Sequence, residues 1–249
     1  VLLRNHRRKA KEAGPARRPA NFGQQQVQAL AAPRLAQGLD FVDDHRCRRI
    51  SYAACFGDTR QPQETVDRAG ALLTRFHALS VRNEMSADLV ESFSAARPEV
   101  VLDPTLLCDY SQFLGATSKA APYIAVYYLA HPQPSHGLEV LRIVKKRLNL
   151  PMVLIGTDAD VSWADRTVLS AGPVDWLRIL KGAAFVCTDS FHGTIFSIKL
   201  KKAFIVWRGY RPDRLQDYLG RCGLQDRLLS QSDEATLHRL IETSIDYAE

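Results

Sequence analysis

From Arg49 onward the chain alternates between two hydrophobic periods. Short apolar runs of strand character, RISYAAC (49–55), HALSV (77–81), EVVLD (99–103), YIAVYYL (123–129), MVLIG (152–156), AAFVC (183–187) and FIVW (204–207), alternate with segments in which apolar residues recur every three or four positions. Val66, Ala69, Leu73 and Phe76 mark a helix within residues 64–76, and Leu89, Val90 and Phe93 mark a second, with Ser86 as its expected cap. A third carries Leu138, Leu141, Val144 and Leu148, and a fourth carries Val174, Leu177 and Leu180 and stops at Gly182. A helix from about His192 to Lys201 follows AAFVC, and two more close the chain, around Leu215, Tyr218 and Leu219 and around Leu237, Leu240, Ile241 and Ile245.

Near-continuous apolar strands separated by helices predict parallel sheets covered on both faces. The β-α-β-α-β order of the first half is repeated in the second, and SQFLGATSKAAP (111–122) between them has linker composition. The expectation is therefore an α/β protein of two Rossmann-like parallel-sheet domains, 40–115 and 116–249. Residues 1–39 form an atypical basic segment ahead of them.

Charge changes this picture little. The net charge of +6 is accounted for by residues 1–20, which hold seven Lys or Arg and one Glu. A basic arm suits a phosphate polymer or an anionic membrane surface, but this one has no interleaved aromatic residues, so no nucleic-acid partner is expected. No run reaches the roughly 20 apolar residues that a membrane span needs. The five cysteines, Cys47, Cys55, Cys108, Cys187 and Cys222, form no CxxC pair and have no histidine at metal-ligand spacing. Reduced thiols, a cytoplasmic location and no metal site follow as expectations. Asp103, Asp158 and Asp160 are isolated, and DAD (158–160) reads as a solvated loop.

Candidate chemistry lies at two strand ends. ALSVRNEMS places Arg82, Asn83 and Glu84 after a strand; FVCTDSFHGT places Asp189, Ser190, His192 and Gly193 between a strand and a helix. Open parallel sheets bind ligands beyond the carboxyl ends of their strands. The first turn of a helix offers unpaired N–H groups to an anion, and an arginine adds a bidentate contact. Gly193 would admit a ligand close to the backbone, Ser190 and Thr194 carry hydroxyls, and His192 can move a proton near neutral pH. The alternative is that Asp189 and Ser190 simply cap a helix beside a structural histidine. HPQPSH (131–136) also follows a strand end and would line the same crevice.

Four segments in this order, ISYAACFG (50–57), LSVRNEMSADLV (79–90), VVLDPTLL (100–107) and VCTDSFHGTIFSI (186–198), resemble the polysaccharide pyruvyl transferase family. The resemblance implies a fold like that of GT-B glycosyltransferases, with the site between the domains. It also implies transfer of the enolpyruvyl unit of phosphoenolpyruvate to a sugar or lipid-linked saccharide as a ketal, with no other cofactor, in polysaccharide biosynthesis at the inner face of the membrane. Arg82 and His192 match the positions that hold phosphoenolpyruvate in such enzymes, and the backbone at Phe191 would face it. Ser80, Ser190, Gly193 and Thr194 complete the expected binding set, with Asp189 expected to cap the helix rather than orient His192.

Two departures accompany the resemblance. Some family members have arginine where this chain has Ser190, so Arg208 or Arg211 is the expected replacement cation. Members also begin with a Gly-rich strand-loop and a Gly-Ser-Asp-Gln-x-Trp segment, absent from residues 1–39, so an incomplete N-terminal domain is expected. A GT-B glycosyltransferase with a nucleotide-sugar donor, or a non-catalytic remnant binding module, are the alternatives.

Overall fold

The computed structural model describes residues 48–56, 62–94, 96–115, 121–129, 136–156, 161–208, 212–230 and 233–247. Two parallel sheets organise them. The first has the order β1-β2-β3, with β1 at Ile50–Ala54, β2 at Ala78–Val81 and β3 at Glu99–Val100. Helices α1 (Gln63–Leu73) and α2 (Glu84–Glu91) make its crossovers. Two one-turn helices follow, α3 (Pro104–Leu107) and α4 (Ser111–Leu114), the second inside the segment whose composition suggested a linker. Its place is fixed by Arg178, whose Nε donates to the Phe113 carbonyl at 2.9 Å.

The second sheet contains β4 (Ile124–Tyr127), β5 (Met152–Gly156), β6 (Arg166–Leu169), β7 (Phe185–Thr188), β8 (Ala203–Trp207) and β9 (Leu228–Leu229), in the order β6-β5-β4-β7-β8-β9. Every pairing is parallel. Its helices are α5 (His136–Leu148), α6 (Pro173–Gly182), α7 (Phe191–Lys199), α8 (Pro212–Arg221) and α9 (Glu234–Glu242). The period of two along each strand divides the core into two layers. Ile124, Val126, Leu154, Cys187, Ile205 and Trp207 pack under α5 and α9, through Leu141, Val144, Leu237 and Leu240. Ala125, Ile155, Val186, Phe204 and Val206 pack on the other face against Leu177, Leu180, Ile195, Leu215 and Leu219 of α6, α7 and α8. Each fully buried aliphatic side chain contributes about 1.5–3 kcal/mol of burial. That is why these strands read clearly from sequence.

β6 does not read from sequence because RTVL is an edge strand whose Arg166 and Leu169 are exposed. β9 has only two residues. The chain leaves β4 toward β5 on one side and leaves β7 toward β8 on the other, so the order of connections reverses between β4 and β7. A ligand crevice is expected beyond their carboxyl ends. Tyr127 and Thr188 are register partners at those ends.

Candidate active site

Arg82 follows β2 and Asp103 follows β3, both at the carboxyl edge of the first sheet. Arg82 Nη1 donates to Asp103 Oδ2 at 2.8 Å. Asp103 also accepts from the backbone N–H and the hydroxyl of Thr105, at 3.0 and 2.7 Å. Burial works to raise the Asp103 carboxyl, but the hydrogen bonds from Thr105 and Arg82 outweigh it and hold it below the ordinary carboxylate value. Asp103 is therefore the fixed counter-ion of Arg82. Burial also opposes charge on Arg82, and is outweighed by the neighbouring Cys55 and Asp103, so the guanidinium stays charged. Its Nε has no hydrogen-bond partner among the described residues.

The opposite wall is the turn from β7 into α7, and its geometry corrects two expectations. Ser190, not Asp189, is the N-cap: its Oγ accepts from Gly193 N at 3.3 Å. Asp189 neither caps the helix nor contacts His192 by a described hydrogen bond; its Oδ1 accepts from Leu129 N at 2.7 Å and ties the turn to the end of β4. Thr188 Oγ1 donates to the Tyr127 carbonyl and accepts from Ser190 N, at 2.6 and 3.0 Å. Thr194 Oγ1 donates to the Ser190 carbonyl at 3.0 Å. The hydroxyls of Ser190 and Thr194 are thus engaged inside the turn. Gly193 is required for packing, since a Cβ there would overlap Thr188 Oγ1 and lie 3.1 Å from its Cβ. The N–H groups of Phe191 and His192, at the first two positions of α7, remain without partners among the described residues.

The two walls meet at the Phe191 ring. The Arg82 guanidinium lies 4.9 Å from its centroid, and that of Arg214, from α8, lies 5.4 Å from it. The His192 ring stands edge-on to the same phenyl ring at 5.6 Å. Burial lowers the His192 pKa first, Asp103 partly opposes this, and Arg82 and Arg214 lower it further. His192 is therefore a neutral imidazole at pH 7, beside two permanent cations and at a helix N-terminus.

His192 also borders a cavity of about 520 Å³ lined by Tyr110, Tyr127, Gly156, Ser170, Trp176 and Phe196 among others. The ring centroids of Tyr127 and Trp176, Trp176 and Phe196, and Phe196 and Tyr110 lie 5.3, 5.2 and 5.2 Å apart, each pair edge-to-face. This aromatic wall runs from the end of β4 to the segment after α3.

The family model described as polysaccharide pyruvyl transferase matches residues 34–208, a span that includes β1 to β8 with Arg82, Asp103 and His192. The chain belongs to the polysaccharide pyruvyl transferase family. A search of curated proteins finds no match. Among solved structures, UDP-GlcNAc 2-epimerase from Methanocaldococcus jannaschii is similar with a TM-score of 0.50 at 9% identity, over 80% of this chain and 64% of that one. The chain thus spans less than two thirds of that epimerase's length. UDP-GlcNAc 2-epimerase from Neisseria meningitidis gives 0.49 at 13% identity over 90% and 74%, and UGT89C1 from Arabidopsis thaliana gives 0.43 at 11% over 92% and 78%. At 9% identity the likeness to the Methanocaldococcus jannaschii epimerase is one of fold alone.

Within this pyruvyl transferase family member, the sequence-predicted residues divide into two groups. Arg82, Phe191 and His192 come together, with Ser190, Gly193 and Thr194 forming the turn beneath them. Ser80 does not join them: its hydroxyl accepts from Ala53 N at 3.1 Å and donates to the Ser51 carbonyl at 3.3 Å, where the β1–β2 register shifts and Ala53 takes a φ of 53°. Arg208 follows β8 as an exposed side chain, its Nη2 3.5 Å from Gln216 Oε1. Arg211, residues 131–135 and the DAD segment lie outside the described residues. Ser86 is not the cap of α2; Asn83 is, accepting from Ser86 N at 3.3 Å, while Ser86 Oγ accepts from Phe56 N. Asp103, read from sequence as isolated, is the partner of Arg82, and no metal-binding cluster of His, Cys, Asp or Glu occurs among the described residues. Sequence reasoning missed Arg214, which lies in a polar stretch, RPDRLQDY, where only its spacing from Leu215 and Tyr218 would have placed it on the inner side of α8. No helix of the described residues is long and apolar enough to cross a membrane.

Proposed function

We propose that this protein binds phosphoenolpyruvate between Arg82 of the first sheet and the start of α7 on the second, and transfers its pyruvyl unit to two hydroxyls of a saccharide. The observation that carries the reading is the convergence of Arg82, Arg214 and His192 on the Phe191 ring, in a chain of this family. Phosphoenolpyruvate has a carboxylate and a phosphate a short distance apart. Two guanidiniums and the Phe191 and His192 N–H groups are suited to a dianionic ligand of this kind.

The transfer requires a proton on the methylene carbon, attack by a sugar hydroxyl on the adjacent carbon, departure of phosphate, and closure by the second hydroxyl. Two hydroxyl protons leave the sugar; the balance delivers one to the new methyl group and one to the phosphate. The neutral state of His192 favours it as the base that takes a proton from the attacking hydroxyl. An anion bound beside it raises its pKa and stabilises the resulting imidazolium. Arg82 and Arg214 stabilise charge on the departing phosphate.

Calorimetric titration of the full chain with phosphoenolpyruvate and, separately, UDP tests this reading. Binding of phosphoenolpyruvate that weakens in Arg82→Ala supports it. Binding of UDP alone would favour a nucleotide-sugar donor, and binding of neither a non-catalytic module.

A further inference from the structure

We infer that the cavity beside His192 is the seat of the acceptor sugar, as a neutral pyranose ring held against the Tyr127, Trp176 and Phe196 wall. The inference deepens the phosphoenolpyruvate reading and rests on it for the identity of the reaction. Three observations lead to it.

The first is position. The cavity opens at the carboxyl ends of β4 and β5, through Tyr127 and Gly156, and reaches His192 after β7, across the point between β4 and β7 where the connection order reverses. His192 belongs both to its lining and to the cationic cluster around Phe191. A ligand in the cavity and an anion at Arg82 therefore meet at one imidazole. A transfer between two substrates requires that arrangement, because the acceptor hydroxyl, the electrophilic carbon and the base must come within contact distance.

The second is chemistry. The described lining residues include no Lys, Arg, Asp or Glu, so they offer no charged side chain to a diphosphate or a uronate carboxylate. It is lined by aromatic residues, by the hydroxyl-bearing Tyr110, Tyr127 and Ser170, and by His192. A pyranose needs this combination, with apolar surface for its C–H face and hydroxyl-bearing groups for its rim.

The third is size and rigidity. A cavity of about 520 Å³ lies within the range of about 300–1,000 Å³ for small-molecule sites. Its wall is preorganised, since Trp176 is held edge-to-face between Tyr127 and Phe196 and Phe196 is in turn held by Tyr110.

Saturation-transfer NMR on the full chain tests the inference with methyl glycosides of galactose, glucose and mannose as probes, alongside uridine. Calorimetry with phosphoenolpyruvate is run on the same samples. Trp176→Leu removes the stacking platform, and Tyr127→Phe is a milder variant that keeps the ring. The expected result is saturation transfer to the C–H face of at least one glycoside, lowered about tenfold in affinity by Trp176→Leu and less by Tyr127→Phe. Phosphoenolpyruvate affinity should stay within about twofold in both. Glycoside binding that is unchanged in folded Trp176→Leu, or signals at Trp176 moved by uridine and by no glycoside, would overturn it. Phosphoenolpyruvate binding without any glycoside contact defeats the cavity assignment alone. Glycoside binding at Trp176 without phosphoenolpyruvate binding defeats the donor assignment and leaves the saccharide site standing.

Discussion

The Arg82 guanidinium lies over the Phe191 ring at 4.9 Å, which joins the carboxyl edge of the first sheet to the first turn of α7 on the second. An aromatic face at this distance attracts the cation without consuming its N–H donors. Phe191 can therefore orient the arginine while leaving it able to bind an anion. Replacing Arg82 with Ala is expected to weaken phosphoenolpyruvate binding about 10- to 100-fold, the range for loss of a charge-assisted contact. Phe191→Leu keeps every charge and should weaken binding by a smaller factor, about 3- to 10-fold. Calorimetry on the two variants checks the order; equal affinity of Arg82→Ala and the parent protein would remove Arg82 from the site.

The second cation distinguishes two arginines. Arg214→Gln should lower phosphoenolpyruvate affinity about tenfold, because its guanidinium lies 5.4 Å from the Phe191 ring and acts on His192. Arg208→Gln should leave affinity within about twofold, as expected of an exposed charge. The reverse ranking in parallel titrations would restore Arg208 as the replacement for the arginine that some relatives carry at position 190.

His192 sets a pH dependence whose sign is fixed. Its folded pKa lies below the ordinary value of about 6.5, because burial comes first and the two guanidiniums add to it. Between the folded value and about 6.5 the unfolded chain binds the extra proton, so stability rises with pH across that window and is flat in this respect outside it. His192→Phe should abolish that part of the slope in denaturation experiments. Phosphoenolpyruvate should shift the histidine's NMR titration upward. A titration midpoint above 6.5 in the ligand-free protein would contradict the neutral-base assignment.

Glycine positions offer a structural control. Gly193→Ala drives a methyl group into Thr188 and is expected to destabilise the fold by about 1–3 kcal/mol. Gly220→Ala, in α8 with nothing within 4 Å of the new Cβ, should stabilise it by up to about 1 kcal/mol. Chemical denaturation of the pair measures both, and a neutral Gly193→Ala would mean that the α7 to β7 packing is looser than the geometry indicates.

The sequence made the central strands legible because they are buried on both faces. MVLIG and FIVW have no polar side to confuse the period, and the observed β5 and β8 contain them. RTVL was invisible because β6 lies at the edge with Arg166 and Leu169 exposed. Arg82 and His192 were legible through their motifs, and their proximity follows from the way the two sheet edges face each other. The capping roles were misassigned because Asn83 and Ser86, or Asp189 and Ser190, are equally capable caps one to three positions apart. Only the register of the turn decides between them. Arg214 and the aromatic wall depend on contacts between distant segments, such as Tyr110 with Phe196, for which no local pattern exists.

The hydrogen bonds of the α7 turn have a consequence for how the site comes into being. Thr188, Asp189 and Ser190 make their described side-chain bonds to Tyr127, Leu129, Ser190 and Gly193, all within the second sheet and its own loops. The described side-chain bonds that shape that half thus include none to the first sheet. Arg82 and its counter-ion Asp103 are likewise prepared within the first sheet. The centre is thus built from two separately braced pieces, joined at the site itself where one arginine lies on one phenyl ring.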